Sequence, residues 1–72
     1  MNRTMLYIED HAYTRGLVEK ILRTLRPQIK LHVATNARDG VKAAIDKQPA
    51  LILLDNRLPD ATGGEVLHQL AS

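Results

Sequence analysis

The sequence predicts an α/β fold built on a parallel sheet, and three observations carry that prediction. Three short apolar runs alternate with three stretches of helical periodicity, in the order βαβαβα. The third run, Ala50-Leu51-Ile52-Leu53-Leu54, is apolar at every position, the pattern of a strand covered on both faces. Acidic residues stand directly after the first and third runs, at Glu9, Asp10 and Asp55.

The elements follow in order. Thr4-Met5-Leu6-Tyr7-Ile8 reads as the first strand, over about 4–8, and Glu9-Asp10 ends it. A first helix is expected over about 12–25, with Leu17, Val18, Ile21, Leu22 and Leu25 sharing one face before Pro27 stops it. The second strand spans about 29–34, where Ile29, Leu31 and Val33 alternate with Lys30 and His32 as on a half-exposed or edge strand. Asn36 is a good N-cap for a second helix over about 37–47, carrying Ala37, Val41, Ala44 and Ile45 inward and closed by Pro49. Gly40 weakens that helix by about 1 kcal/mol relative to alanine. The third strand covers about 50–54, and a loop from Pro59 leads to a third helix over about 64–71 with Val66, Leu67 and Leu70 inward.

Composition removes several function classes. Seventy-two residues and 8.0 kDa allow one small domain, for which area scaling leaves only about 62% of the unfolded surface buried. Zero cysteines exclude disulfides, thiolate zinc sites and cysteine nucleophiles. Ten Lys and Arg against eight Asp and Glu give +2, but the basic residues are scattered and only two tyrosines are aromatic. A nucleic-acid face wants clustered cations and stacking rings, so no nucleic-acid partner is expected. No apolar run reaches the length of a membrane span, and the start lacks signal-peptide character, so no membrane partner and a cytoplasmic location are expected.

The chemistry concentrates in the acids. In open α/β sheets ligands bind beyond the carboxyl ends of the strands, at the point where strand order reverses. If the first and third strands are neighbours, in order 2-1-3, then Glu9, Asp10 and Asp55 converge there. Three carboxylates repel unless a cation neutralises them, and an all-oxygen set suits Mg2+. Glu9 and Asp10 alone also read as caps of the first helix. Asp55 resists so plain a reading, since a carboxylate directly after four strongly apolar residues needs a partner or a task.

The segment Leu51-Ile52-Leu53-Leu54-Asp55-Asn56-Arg57-Leu58-Pro59-Asp60-Ala61-Thr62-Gly63 resembles the phosphoacceptor region of response-regulator receiver domains. There an Asp ends the third strand, a Pro follows four residues later and a Gly eight residues later; here these are Asp55, Pro59 and Gly63. Leu6-Tyr7-Ile8-Glu9-Asp10-His11 is similar to the family's acidic pair after its first strand. The stretch Val33 to Ala37 with Val41 to Ala44 is similar to its second strand and helix, with Ala37 where Gly is usual.

The resemblance implies a role in two-component signalling as a phosphoacceptor rather than an independent enzyme. Asp55 is then the nucleophile, phosphorylated by a histidine kinase or a small-molecule phosphodonor. Glu9, Asp10, Asp55 and the backbone carbonyl of Arg57 are expected to hold Mg2+. Pro59 and Gly63 are expected to shape the loop, and the Arg57 side chain to line the site or to pair with Asp60 or Glu9 at the surface. The implied fold is flavodoxin-like, with five strands ordered 2-1-3-4-5 over about 120 residues. Residues 1–72 then make a truncated receiver domain, a (βα)3 half without strands four and five. The hydroxyl residue, the lysine and the switch aromatic that the family carries in that second half have no counterpart here. Lys42 falls on a helix, and Thr62 reads as a turn residue.

A bare third strand is a template for pairing, so a homodimer through Leu51, Ile52, Leu53 and Leu54 is expected, in order 2-1-3-3′-1′-2′. The competing reading is a phosphorylation-independent interaction module using that same edge. A small metal-dependent phosphatase fits least, because Arg57 stands where a general-acid carboxylate is wanted. His11, His32 and His68 are too scattered for a metal set.

Overall fold

In the computed structural model, which describes residues 2–71, three strands and three helices alternate along the chain. They are β1 (Thr4–Ile8), α1 (Ala12–Leu25), β2 (Lys30–Ala34), α2 (Ala37–Lys47), β3 (Leu51–Leu54) and α3 (Gly63–Ala71). The strands form one parallel sheet in the order β2-β1-β3, as expected for a flavodoxin-like half. The chain thus steps one way from β1 to β2 and back past β1 to β3. With both crossovers right-handed, that reversal puts α1 and α2 on opposite faces of the sheet.

Three boundaries move by one residue. β2 begins at Lys30 rather than 29, because the Ile29 N–H turns back to the Arg26 carbonyl at 3.1 Å. β3 begins at Leu51 rather than 50, although the Ala50 N–H already reaches the Thr4 carbonyl. α3 begins at Gly63 because Thr62 caps it.

Alternation along β1 divides its side chains between the two faces. Leu6 and Ile8 are fully buried with Ala34, Ala37, Ala44 and Val66 beneath α2 and α3. Ile52 and Leu54 of β3, with Val41, Leu58 and Leu70, pack against that cluster. Gly40 is the close approach in this packing. A Cβ there would lie 2.5 Å from Ile8 Cδ1, so the glycine that weakens the helix also seats it on the strand.

The other face is barer. Met5 and Tyr7 are buried, but α1 contains no buried residue. Leu17, Ile21 and Leu25, expected inward, are exposed, whereas Val18 and Leu22 are half-buried. On the same face Leu51 and Leu53 remain 60% and 42% exposed, which limits the expected bareness of β3 to alternate residues. Ile45 and Leu67 also point outward, because α2 and α3 each have only one neighbour face to bury. The total accessible surface is 5075 Å2, above the roughly 4,450 Å2 of a compact monomer of this mass.

Candidate functional site

The two parallel ladders each run one hydrogen bond past their strands. The Glu9 N–H donates to the Ala34 carbonyl at 3.0 Å, and the Asp55 N–H to the Ile8 carbonyl at 3.0 Å. These bonds fix Glu9 and Asp55 side by side at the carboxyl end of the sheet. Glu9, Asp10 and Asp55 each offer an oxygen, and the three oxygens lie within 4.8 Å of one another.

Capping of α1 falls to neither acid. His11 is the N-cap, its Nδ1 accepting from the Thr14 N–H at 3.4 Å, and the first turn holds no acidic residue. Neither carboxylate is spent on the N–H groups of the helix's first turn. Sequence reading gave His11 no such role, since histidine is not among the preferred caps. Arg15, one turn into α1, donates through Nη1 to the carbonyls of Glu9 at 3.1 Å and Asp10 at 3.2 Å. Its guanidinium thereby orders the backbone that carries the acidic pair.

The cluster is electrostatically loaded. Glu9 is buried, and desolvation together with the neighbouring Asp55 carboxyl raises its pKa above the ordinary 4.5. The His11 N–H and the Tyr7 hydroxyl, each 3.4 Å from a Glu9 oxygen, relieve this only in part. Tyr7 is pushed up in turn, by burial first and by the Glu9 charge second.

The residues fit a small hard cation. Bonds of about 2.0–2.1 Å in an octahedron place oxygens about 2.9–4.2 Å apart, so three oxygens within 4.8 Å of one another reach a common ion by small side-chain movements. An acidic group that holds its proton too tightly is also the state that a divalent cation reverses. Asp10 and Asp55 are partly open to solvent, leaving room for the waters that Mg2+ retains.

The loop from Asn56 to Thr62 folds back on itself beside Asp55. Arg57 and Thr62 form an antiparallel bridge, the Leu58 N–H donates to the Ala61 carbonyl at 3.0 Å, and the Gly63 N–H donates to the Asn56 carbonyl at 2.8 Å. A Cβ on Gly63 would sit 3.1 Å from both the Asp55 carbonyl oxygen and the Asn56 Cα, so this close return favours glycine. Pro59 lies exposed at the loop tip and the Arg57 side chain is exposed.

Thr62 and Glu65 make a capping box. The Thr62 hydroxyl accepts from the Glu65 N–H at 3.2 Å, and Glu65 Oε1 accepts from the Thr62 N–H at 3.2 Å. The hydroxyl is thus committed to α3, and the T-x-x-E spacing that announces the cap was readable in the sequence.

Asp60 faces neither Arg57 nor the acidic cluster. Its carboxylate accepts from the backbone N–H groups of Ala37 and Arg38, and those donors hold it below the usual aspartate range. No sequence pattern joins residues so far apart. Lys42 lies exposed on α2.

Comparison with known proteins agrees with this architecture. Residues 5–72 match the model of the response regulator receiver domain family. The chain is 39% identical over 61 residues to the luminescence regulatory protein LuxO of Vibrio campbellii, covering 85% of this chain and 13% of that protein. It is 35% identical over 68 residues to the nitrate/nitrite response regulator NarL of Escherichia coli, covering 93% of this chain and 31% of that one. The signal receiver domain of a protein assigned as a LuxO repressor in Vibrio parahaemolyticus superimposes with a TM-score of 0.81 at 25% identity. That superposition covers 99% of this chain and 53% of the other, so the chain spans about half of its structural neighbour and a smaller share of the curated relatives. With the family's sheet order, its acidic end and a match over nearly every residue, the chain belongs to the response regulator receiver domain family.

Proposed function

We propose that this chain is a phosphoacceptor of two-component signal transduction, with Asp55 as the acceptor and Glu9, Asp10, Asp55 and the Arg57 carbonyl as a Mg2+ site. One observation carries the reading: two separate strands deliver three carboxylates to a single spot within 4.8 Å. A bound Mg2+ would offset charge on the phosphoryl oxygens and keep the three acids ionised together.

The chain's own groups define the rest. An Asp55 carboxylate oxygen attacks phosphorus, an O–P bond forms, and the bond from phosphorus to the donor breaks with its electron pair leaving on the donor. With a phosphohistidine donor the departing imidazole takes up a proton. The bond from the Asp55 N–H to the Ile8 carbonyl fixes the attacking side chain's backbone, which supports in-line attack without a searching nucleophile. Pro59 and Gly63 shape the loop that closes one side. Phosphodonors in this reading are a histidine kinase or a small acyl phosphate, and turnover as an enzyme is no part of it.

The test is incubation with Mg2+ and acetyl phosphate, read by intact mass. One phosphoryl adduct is expected, absent with a chelator and absent in Asp55→Asn. A folded chain that takes no adduct contradicts the reading.

A second reading rests on the outer edge of β3, unpaired among the described residues, and on the exposure of Leu51 and Leu53. Residues 51–54 pair antiparallel with the same residues of a second copy, giving the order 2-1-3-3′-1′-2′. A two-fold axis normal to the sheet keeps both α1 helices on one side, where they flank a strip of four leucines. Sedimentation equilibrium should show a dimer that Leu53→Lys dissociates. A cooperatively folded monomer at all concentrations contradicts it.

A further inference from the structure

We propose that Asp60 is a positioning residue for the cation site, a latch that ties the loop after β3 to the first turn of α2. The inference rests on the reading of the acidic cluster as a Mg2+ site and adds a residue to it that touches neither cation nor phosphoryl group. The geometry is specific. Ala37 and Arg38, the first two residues of α2, donate their N–H groups to Asp60 Oδ1 at 2.6 Å and Oδ2 at 3.0 Å. Asn36 Oδ1 accepts the next donor, the Asp39 N–H, at 2.8 Å.

A helix start leaves such donors free, and its partial positive charge favours a carboxylate there. Asn36 already caps α2 from within its own sequence. Asp60 reaches the same turn from 22 and 23 residues away. So the bonds do more than finish a helix: they join two loops at the carboxyl end of the sheet.

Both ends of the latch are referenced to the site. α2 sits on Ile8 through Gly40, and Ile8 directly precedes Glu9. Asp60 lies inside the tip closed by Leu58 and Ala61, and that tip is flanked by the Arg57–Thr62 bridge. Holding the tip against α2 therefore holds the Arg57 carbonyl at a set distance from the acids. Without the latch the loop keeps its internal bonds and its Leu58 and Ala61 packing, but loses this outside reference. Groups that orient a metal's ligands typically affect its affinity by about 10–100-fold when removed.

The experiment titrates Mg2+ alone into 15N-labelled wild type, Asp60→Ala and Asp60→Asn, following the backbone amides of Asp10 and Arg57. The same proteins are then labelled with acetyl phosphate across a range of Mg2+. Asp60→Ala is expected to weaken Mg2+ binding by about tenfold. Asp60→Asn keeps one acceptor oxygen and should lie between. Half-maximal labelling should move to higher Mg2+ by the same factor, while labelling at saturating Mg2+ matches wild type. A merely structural role would lower the maximum and leave the half-point in place. Wild-type Mg2+ affinity in Asp60→Ala overturns the latch alone. If Asp60→Ala does not fold, Asp60→Asn decides, and wild-type affinity there overturns it as well. A wild type that gives no response to Mg2+ overturns the latch and the cation site together.

Discussion

The two faces of the sheet are made from the same strands and come out differently. Beneath α2 and α3, Leu6, Ile8 and Val66 are fully buried and Gly40 lets a helix sit directly on β1. Beneath α1, Met5 and Tyr7 are covered, yet the helix buries no residue and Leu51 and Leu53 stand open beside it. Helical periodicity is as clear in α1 as in α2. What differs is the partner supply. α2 has a strand pair below and α3 alongside, whereas among the described residues no helix lies beside α1 on its face. Amphipathic pattern declares that a helix has an apolar side, and only neighbours decide how much of it is buried.

The largest expected contrast is in truncation of core side chains. Leu6→Ala should cost about 2–5 kcal/mol, a large share of the roughly 4–11 kcal/mol available to a chain of this length. Ile21→Ala, at a half-open site on α1, should cost about 0.5 kcal/mol or less in the same urea titration. Equal losses at the two positions would show that the two faces contribute alike to stability.

The helical glycines separate the two faces by the sign of their effect. Gly40→Ala should destabilise by about 1–3 kcal/mol, because the added methyl runs into Ile8 and outweighs the gain in helix propensity. Gly16→Ala meets nothing within 4 Å and should stabilise by about 0.5–1 kcal/mol. Opposite signs in thermal or urea unfolding are the expected outcome.

The smallest effect is the acid limb of Asp60. Its carboxyl titrates below the ordinary 3.8 in the folded chain. The unfolded chain therefore binds the proton first, and stability rises with pH across that window. The contribution is complete above the ordinary value and is lost as pH falls through the lowered one. Asp60→Asn should be the less stable protein at neutral pH, with the gap closing under acid. A gap of constant size from pH 7 to pH 2 would show that the carboxylate charge contributes nothing.

Much of this was legible in the residues. Element order, the 2-1-3 sheet and the meeting of Glu9, Asp10 and Asp55 follow from apolar runs that end in acids, because parallel strands align their carboxyl ends. The outward turn of Leu17, Ile21 and Leu25 was not legible, since it depends on which neighbours a helix finds. The His11 cap was hidden by an unusual residue choice. The Asp60 bonds to Ala37 and Arg38 were hidden by distance along the chain, since local patterns report local partners. The Thr62–Glu65 capping box had a readable signature that a Gly-rich loop obscured.

The covered side of the sheet carries the fold, and the strands it protects hold the backbone of the acidic cluster through the bonds of Glu9 to Ala34 and of Asp55 to Ile8. Native-state amide hydrogen exchange tests it residue by residue. The N–H groups of Glu9 and Asp55, bonded to Ala34 and Ile8, should exchange only through global unfolding, together with those of β1. The amides of Ile21 and Leu22 in α1 should exchange sooner, through a smaller opening. If Glu9 and Asp55 exchange as fast as α1, or if α1 is protected as fully as β1, the claim is contradicted.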